Sequence, residues 1–111
     1  MSKVLEAIRR NRRLYNGRVR KKIQALKKAF HEEINLLEEG VIESANNRSY
    51  RYGMDHRVCK QIHSALLALH NHAEEHHVRS LIKEWVDARG WGAEVMVSVT
   101  LCHGLVYFSW R

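Results

Sequence analysis

Histidine is the residue type whose spacing most suggests a chemical site in this chain. Four histidines recur every seven residues and two more lie four residues apart, at His56, His63, His70 and His77 and at His72 and His76. Heptad-spaced side chains on a helix lie about 10.5 Å apart along its axis, so these four cannot share one metal ion. The run from His72 to His76 fits the H-x-x-E-H zinc-protease signature, but it is short and lacks a downstream ligand helix. We therefore predict no metal and no cofactor, with His72 and His76 as the weak alternative pair.

Cys59 lies near His56 and His63 in the sequence, so a nucleophile and a base are both available there. A small residue at the edge of a packed helix face is the commoner explanation of such a cysteine. The chain also contains no G-x-S-x-G motif and no glycine-rich phosphate loop. We predict that the protein is not an enzyme.

Lysine and arginine are concentrated in the first 30 residues, which hold eleven of them against one acid, Glu6. Residues 31–44 reverse the sign, with five glutamates and no lysine or arginine, and the net charge of the chain is +7. A basic block of this kind is drawn to polyanions, which are nucleic acid, an anionic membrane surface or an acidic protein. The candidate contacts in this block are Arg9, Arg10, Arg12, Arg13, Arg18, Arg20, Lys21, Lys22, Lys27 and Lys28.

A second group of candidate contacts follows in residues 46–54, which the pattern predicts to be a connector. Two arginines and two tyrosines alternate there, at Arg48, Tyr50, Arg51 and Tyr52. Aromatic rings beside arginines are suited to stacking on unpaired bases.

The element that must position the basic block is one long helix over residues 2–45. An apolar stripe from Val4 to Ala45 advances in steps of four, four and three residues, broken at Arg12, and it keeps phase across Gly17. Asn46 and Asn47 supply the predicted stop. A helix of about 60 Å exceeds the width of a 111-residue globule. We therefore expect a second copy to cover the stripe, giving a coiled-coil-like homodimer.

The rest of the chain predicts a kinked helical region followed by a β-hairpin. Asp55 is a plausible N-cap for helices over about 55–71 and 75–88, within a helical region 55–89. Residues 93–111 alternate with period two, and a two-residue turn at His103-Gly104 places Leu101 opposite Val106 and Val99 opposite Phe108. The predicted fold is α+β, in a single domain over residues 1–111.

Composition places this domain in the cytoplasm. Two cysteines are too few for a disulfide framework, and no signal peptide or membrane-spanning run is recognisable. The sequence therefore predicts no membrane partner.

The end of the chain resembles that of many small bacteriophage accessory proteins. The resemblance rests on a helix ending Ala88-Arg89-Gly90-Trp91, an alternating hairpin and a terminal Phe108-Ser109-Trp110, about the last quarter of the sequence. It implies a small, non-enzymatic phage protein, located in the host cytoplasm, that binds DNA, RNA or a host macromolecule.

These observations predict a non-enzymatic regulatory protein that binds nucleic acid through its basic N-terminal helix. Two alternatives use the same features. The protein would be an inhibitor that occludes the nucleic-acid-binding surface of a host defence protein, or a virion or scaffold component in which the long helix is the main feature.

Overall fold

The computed structural model describes the backbone of residues 2–111 and the side chains of residues 3–9 and 17–111. Its first element is a single helix, α1, spanning Ser2–Asn46 and passing through Gly17 without a break, as the stripe predicts. The amides of Arg48 and Ser49 bond back to the carbonyls of Ala45 and Ser44, and Arg48 adopts a φ of +62°. This geometry closes the C-terminus in the manner of a Schellman motif.

Two shorter helices follow, α2 at Lys60–Leu69 and α3 at Glu75–Ala88, so the kinked helical region is confirmed. The prediction that a helix starts at Asp55 is wrong. The Asp55 carboxylate accepts a hydrogen bond from the Arg57 amide at 2.9 Å and closes a separate turn, and α2 starts only after Cys59.

The buried carboxylate of Glu33, on α1, caps the N-terminus of α2 in place of Asp55. It accepts a hydrogen bond from the Ile62 amide at 2.7 Å, in the first turn of α2, where no local side chain caps the helix. The helix therefore takes its cap from a residue 29 positions earlier in the chain.

A three-stranded antiparallel sheet completes the mixed α+β fold, with β1 at Arg51–Gly53, β2 at Met96–Thr100 and β3 at Leu105–Ser109. The strand order is β1-β3-β2, so β3 is central. The C-terminal hairpin of β2 and β3 is confirmed. Strand β1 lies in the segment that was predicted to be a connector, and that prediction is wrong for these three residues.

The hairpin register differs by two residues from the predicted one. Val99 pairs with Val106 and Val97 with Phe108, and residues 101–104 form a four-residue loop instead of a two-residue turn. Leu101 leaves the ladder because its side chain enters the core at 2% exposure and its amide donates to the Glu75 carboxylate. A shift of two residues keeps every side chain on its predicted face.

The loop is held against α2 by Gly104. Its φ is +63°, and a Cβ there would lie within 2.8 Å of the His63 carbonyl oxygen and of Leu67 Cγ. Only glycine combines this backbone conformation with so close an approach.

The core lies where the C-terminal part of α1 meets the other elements. Stripe residues Val19, Leu26, Phe30, Ile34 and Leu37 are buried by the rest of the same chain. Val4 and Ile8, at the N-terminal end of the stripe, are 66% and 44% exposed. The prediction that a second copy covers the stripe is therefore wrong for these buried residues, and it stays a prediction for the N-terminal end.

The molecule is elongated, with principal extents of 57, 26 and 22 Å. Within the described residues, none of the helices has the length and apolar character needed to cross a membrane.

Candidate nucleic-acid interface

The basic segment, defined as residues 9–28 of α1, begins on the part of the helix that extends beyond the core. All side chains described between residues 3 and 9 are exposed, and among the described side chains of α1 the first buried one is Val19. Of the predicted contacts in this segment, Arg10, Arg12 and Arg13 have side chains outside the described residues. The contacts that the structure places are Arg9, Arg18, Arg20, Lys21, Lys22, Lys27 and Lys28.

These seven cations are distributed around the solvent-facing side of the helix. At about 100° per residue, Arg20 and Lys27 lie on one flank of the buried face and Arg18 and Lys22 on the other. Lys21 and Lys28 lie opposite the buried face, while Arg9 shares the flank of Arg20 and Lys27. The segment is therefore cationic on both flanks and along its back.

None of these seven cations takes part in an ion pair with the other side chains that the structure describes. The four pairs found there involve Arg57, His76, Lys83 and Arg89 as the basic partner. All of the seven are exposed except Lys22, which is half-buried. Their charge is available to an external anion.

The acidic block is the part of α1 over residues 31–44. Two of its five glutamates make hydrogen bonds within the fold. Glu38 accepts two hydrogen bonds from Arg89, at 3.0 and 3.1 Å, and one from the Trp91 indole at 3.1 Å. The Arg89 hydrogen bond, aided by Trp91 and by the arginine's charge, holds the pKa of Glu38 below its ordinary value despite partial burial. With Glu33 capping α2, three glutamates of this block remain exposed: Glu32, Glu39 and Glu43.

The structure does not bring the Arg/Tyr group of residues 48–52 to the basic segment. Lys28 and Asn46 are separated by about 27 Å along the axis of α1, and the acidic block lies between them. The two predicted groups of contacts therefore cannot form one continuous surface.

Within the Arg/Tyr group, Tyr50 is 68% exposed, and Arg48 and Arg51 are exposed as well. Tyr52 is half-buried, with its ring packed over Gly40 of α1 where a Cβ would overlap it. Burial raises the pKa of the Tyr52 hydroxyl above its usual value. Tyr52 is thus an internal packing residue, whereas the Tyr50 side chain is open to solvent.

The histidines do not converge on a metal centre in the described part of the chain. No group of three or more histidine, cysteine or acidic side chains there has the geometry to hold a metal ion. His76, half of the weak alternative pair, contacts Glu74 at 3.2 Å. His63 packs against His56 at 5.1 Å between ring centroids, and its Nδ1 lies 2.9 Å from the Gly104 carbonyl oxygen. Since a carbonyl accepts, Nδ1 of His63 carries the proton in this contact.

Cys59 is fully buried. Burial, together with the nearby charges of Glu33 and Asp55, raises the pKa of its thiol to about 11. A thiolate is the nucleophilic form of cysteine, so this environment disfavours the nucleophile–base pair that Cys59 and its neighbouring histidines suggested.

The outer face of the sheet consists of Arg51, Gly53, Met96, Ser98, Tyr107 and Ser109, and the sequence pattern did not predict the part that β1 contributes. Met96 and Tyr107 are 66% and 40% exposed on it. The period-two pattern identified this face within the hairpin. The short β1 strand, with three residues, was too brief to be recognised and adds Arg51 and Gly53 to the face.

Compared with known proteins, the chain matches no family model, no curated protein sequence and no solved structure.

Proposed function

We propose that this protein binds duplex DNA through the basic segment of α1. The observation that carries the proposal is the set of seven exposed or half-exposed cations that have no ion-pair partner among the described residues. Phosphate neutralisation by such a set needs no base-specific contact, so binding is expected to be weakly selective for sequence and strongly salt-dependent.

The order of basic and acidic residues along α1 supports the binding of an external anion. No acid lies in the first turn and no base in the last, so the terminal charges do not compensate the helix dipole. The basic residues instead occupy the N-terminal half and the glutamates the C-terminal half. Because this order does not stabilise the helix, an external anion is the better reason for it.

The shape of the helix favours DNA over duplex RNA. An α-helix with its side chains is about 10–12 Å across, close to the width of the B-DNA major groove. Cations on both flanks would then face the phosphates of both strands. The A-form major groove is too narrow for this arrangement. The acidic block beyond Lys28 limits the contact to the N-terminal half of α1.

Salt-dependent binding to a labelled DNA duplex tests the proposal. We expect the triple variant Arg18→Gln, Arg20→Gln, Lys27→Gln, which removes cations from both flanks, to flatten the slope of log K against log salt by up to about 2.7, or 0.9 for each lost phosphate contact. The matched control removes three exposed cations elsewhere, Arg57, Lys60 and Arg79, and should keep the parent slope. Failure of the parent to bind at about 50 mM salt, or equal slopes for both triples, would refute it.

A second candidate function is inhibition of a host protein by occupying its nucleic-acid-binding surface. The observation in its favour is the group of exposed apolar side chains beside Arg9, namely Val4, Leu5 and Ile8. These would be buried by a protein groove but not by phosphates. Capture from a host lysate separates the two proposals: nuclease treatment should release a partner bound through DNA and leave a directly bound protein in place. The similarity to bacteriophage accessory proteins stays a prediction under both.

A further inference from the structure

The outer face of the sheet is open to solvent on its central strand. Tyr107 of β3 pairs with Gly53 of β1 on one side and with Ser98 of β2 on the other. A Cβ at Gly53 would lie 3.2 Å from both Cδ1 and Cε1 of Tyr107, so the ring leans over the glycine. Because Gly53 and Ser98 are both small, neither of the residues paired with Tyr107 covers its ring.

Basic residues lie at one end of this face. The next row of cross-strand partners on the same face consists of Arg51, Ser109 and Met96. Beyond it the same end opens into a depression of about 1330 Å³, whose lining includes Tyr50, Arg51, Arg111 and one acid, Glu94. The exposed ring of Tyr107 thus lies next to the row that holds Arg51, and this end of the face has two basic side chains and one acidic one.

The end of the face is also held in place by the backbone. The Trp110 amide donates to the Tyr50 carbonyl at 2.9 Å, which extends the pairing of β1 with β3 past Arg51. The Ser49 hydroxyl donates to the Arg51 carbonyl at 2.9 Å. The backbone carrying Tyr50 and Arg51 is therefore ordered before a ligand arrives, which reduces the entropy lost on binding.

We infer that the outer face of the sheet is a second binding site, for single-stranded nucleic acid. An unpaired base stacks on the ring of Tyr107, and Arg51 and Arg111 contact the phosphates. Stacking on an aromatic ring suits any base, since every base has a π-face, so the site is expected to tolerate most sequences. A duplex keeps its bases stacked on each other and offers none to Tyr107.

This site is independent of the duplex-binding segment of α1. Along α1, Lys28 is about 18 Å from Gly40, where β1 packs on the helix, and glutamates of residues 31–44 lie between them. Either site can therefore be lost without the other.

Titration of the ¹⁵N-labelled full-length protein with tetrathymidylate tests the inference by NMR. We expect the largest chemical-shift changes at the amides of Gly53, Ser98 and Tyr107. Changes confined to α1 would overturn it, as would line broadening at the sheet amides without ligand, which would mean that a second copy occupies the face.

Two pairs of variants measure the contribution of the side chains. Tyr107→Ala should weaken tetrathymidylate binding about tenfold, whereas Tyr107→Phe, which keeps the ring, should change it less than about twofold. Arg51→Gln should weaken binding more than Arg57→Gln, which removes an exposed arginine away from the face. Equal effects within either pair would overturn the inference. If Tyr107→Ala fails to fold, the arginine pair and the NMR map decide.

The α1 triple variant separates this inference from the proposed function. It should lose duplex affinity and retain tetrathymidylate affinity. Loss of both by the same variant would show that a single electrostatic surface on α1 binds every nucleic acid, and the sheet site would be rejected.

Discussion

At the residue scale, two carboxylates of α1 connect distant parts of the chain. Glu33 is 6% exposed and bonds the amide of Ile62 at 2.7 Å, while Glu38 accepts three hydrogen bonds from Arg89 and Trp91. Both lie in the acidic block, and the sequence alone does not distinguish them from the other three glutamates there. Their neighbours Glu32 and Glu39 are exposed and provide matched controls.

We expect Glu33→Ala to lower the free energy of unfolding by about 2 kcal/mol, because it removes the cap of α2 and leaves a buried amide without an acceptor. Glu33→Gln keeps an acceptor and should cost less. Urea unfolding of both, beside Glu32→Ala with a change within about 0.5 kcal/mol, is the measurement. A Glu33→Ala midpoint equal to that of Glu32→Ala would contradict the capping role.

The lowered pKa of Glu38 predicts a dependence of stability on pH. A carboxyl with a folded pKa below its unfolded value stabilises the fold above the unfolded pKa, about 4.3. That stabilisation, about 1 kcal/mol for a partly exposed pair, is lost as the pH falls through the folded pKa.

Urea unfolding between pH 7 and pH 3 checks this dependence. Wild type should be more stable than Glu38→Gln at neutral pH, and the difference should shrink below about pH 4.3. Glu39→Gln, which removes a neighbouring exposed carboxyl, should show no such convergence. A wild-type advantage that stays constant across the range would show that the carboxylate charge is unimportant.

At the element scale, α1 contains two glycines whose environments are opposite. Among the side chains that the structure describes, nothing lies within 4 Å of a Cβ built on Gly17, whereas a Cβ on Gly40 would overlap the ring of Tyr52. Glycine inside a helix costs about 1 kcal/mol relative to alanine. Gly40 is therefore required by the packing of β1 on α1, and Gly17 is not required by any packing contact.

We expect Gly17→Ala to stabilise α1 by up to about 1 kcal/mol and Gly40→Ala to destabilise the protein despite the same gain in helix propensity. Thermal unfolding and amide exchange in residues 17–21 provide the measurements. The double variant Gly40→Ala, Tyr52→Ala should recover part of the loss, because it removes the overlapping ring. Stabilisation by Gly40→Ala alone would show that Tyr52 moves aside at little cost.

At the scale of the whole molecule, the apolar stripe divides into a covered part and an uncovered part. Residues 19–37 of the stripe are packed within the chain, and Val4, Leu5 and Ile8 are exposed. We propose that two copies associate through this N-terminal end. Burial of exposed aliphatic side chains is the driving force for such an association.

Light scattering at micromolar concentration should then show a dimer, and the double variant Val4→Asp, Ile8→Asp should be a folded monomer. Leu26→Asp is the contrasting variant: Leu26 is fully buried within the chain, so an unpaired charge there should unfold the protein. A monomeric wild type would contradict self-association. It would also leave the apolar residues free for the protein partner of the second candidate function.

Local patterns in the sequence were sufficient for α1 and for the C-terminal hairpin. The 3.67-residue period of the stripe predicted α1 to within a residue, and the period of two predicted the hairpin and the faces of its strands. Both periods reflect the geometry of a single helix or strand, which neighbouring residues alone determine. The basic segment was equally evident, because exposed charge does not depend on packing.

Tertiary structure decided the features that join residues far apart in the chain. The cap of α2 by Glu33, the hairpin register set by Leu101 and the pairing of β1 with β3 all depend on such contacts. The physical reason is that a buried hydrogen bond or a filled core is chosen by competition among all elements, and no local pattern records its outcome.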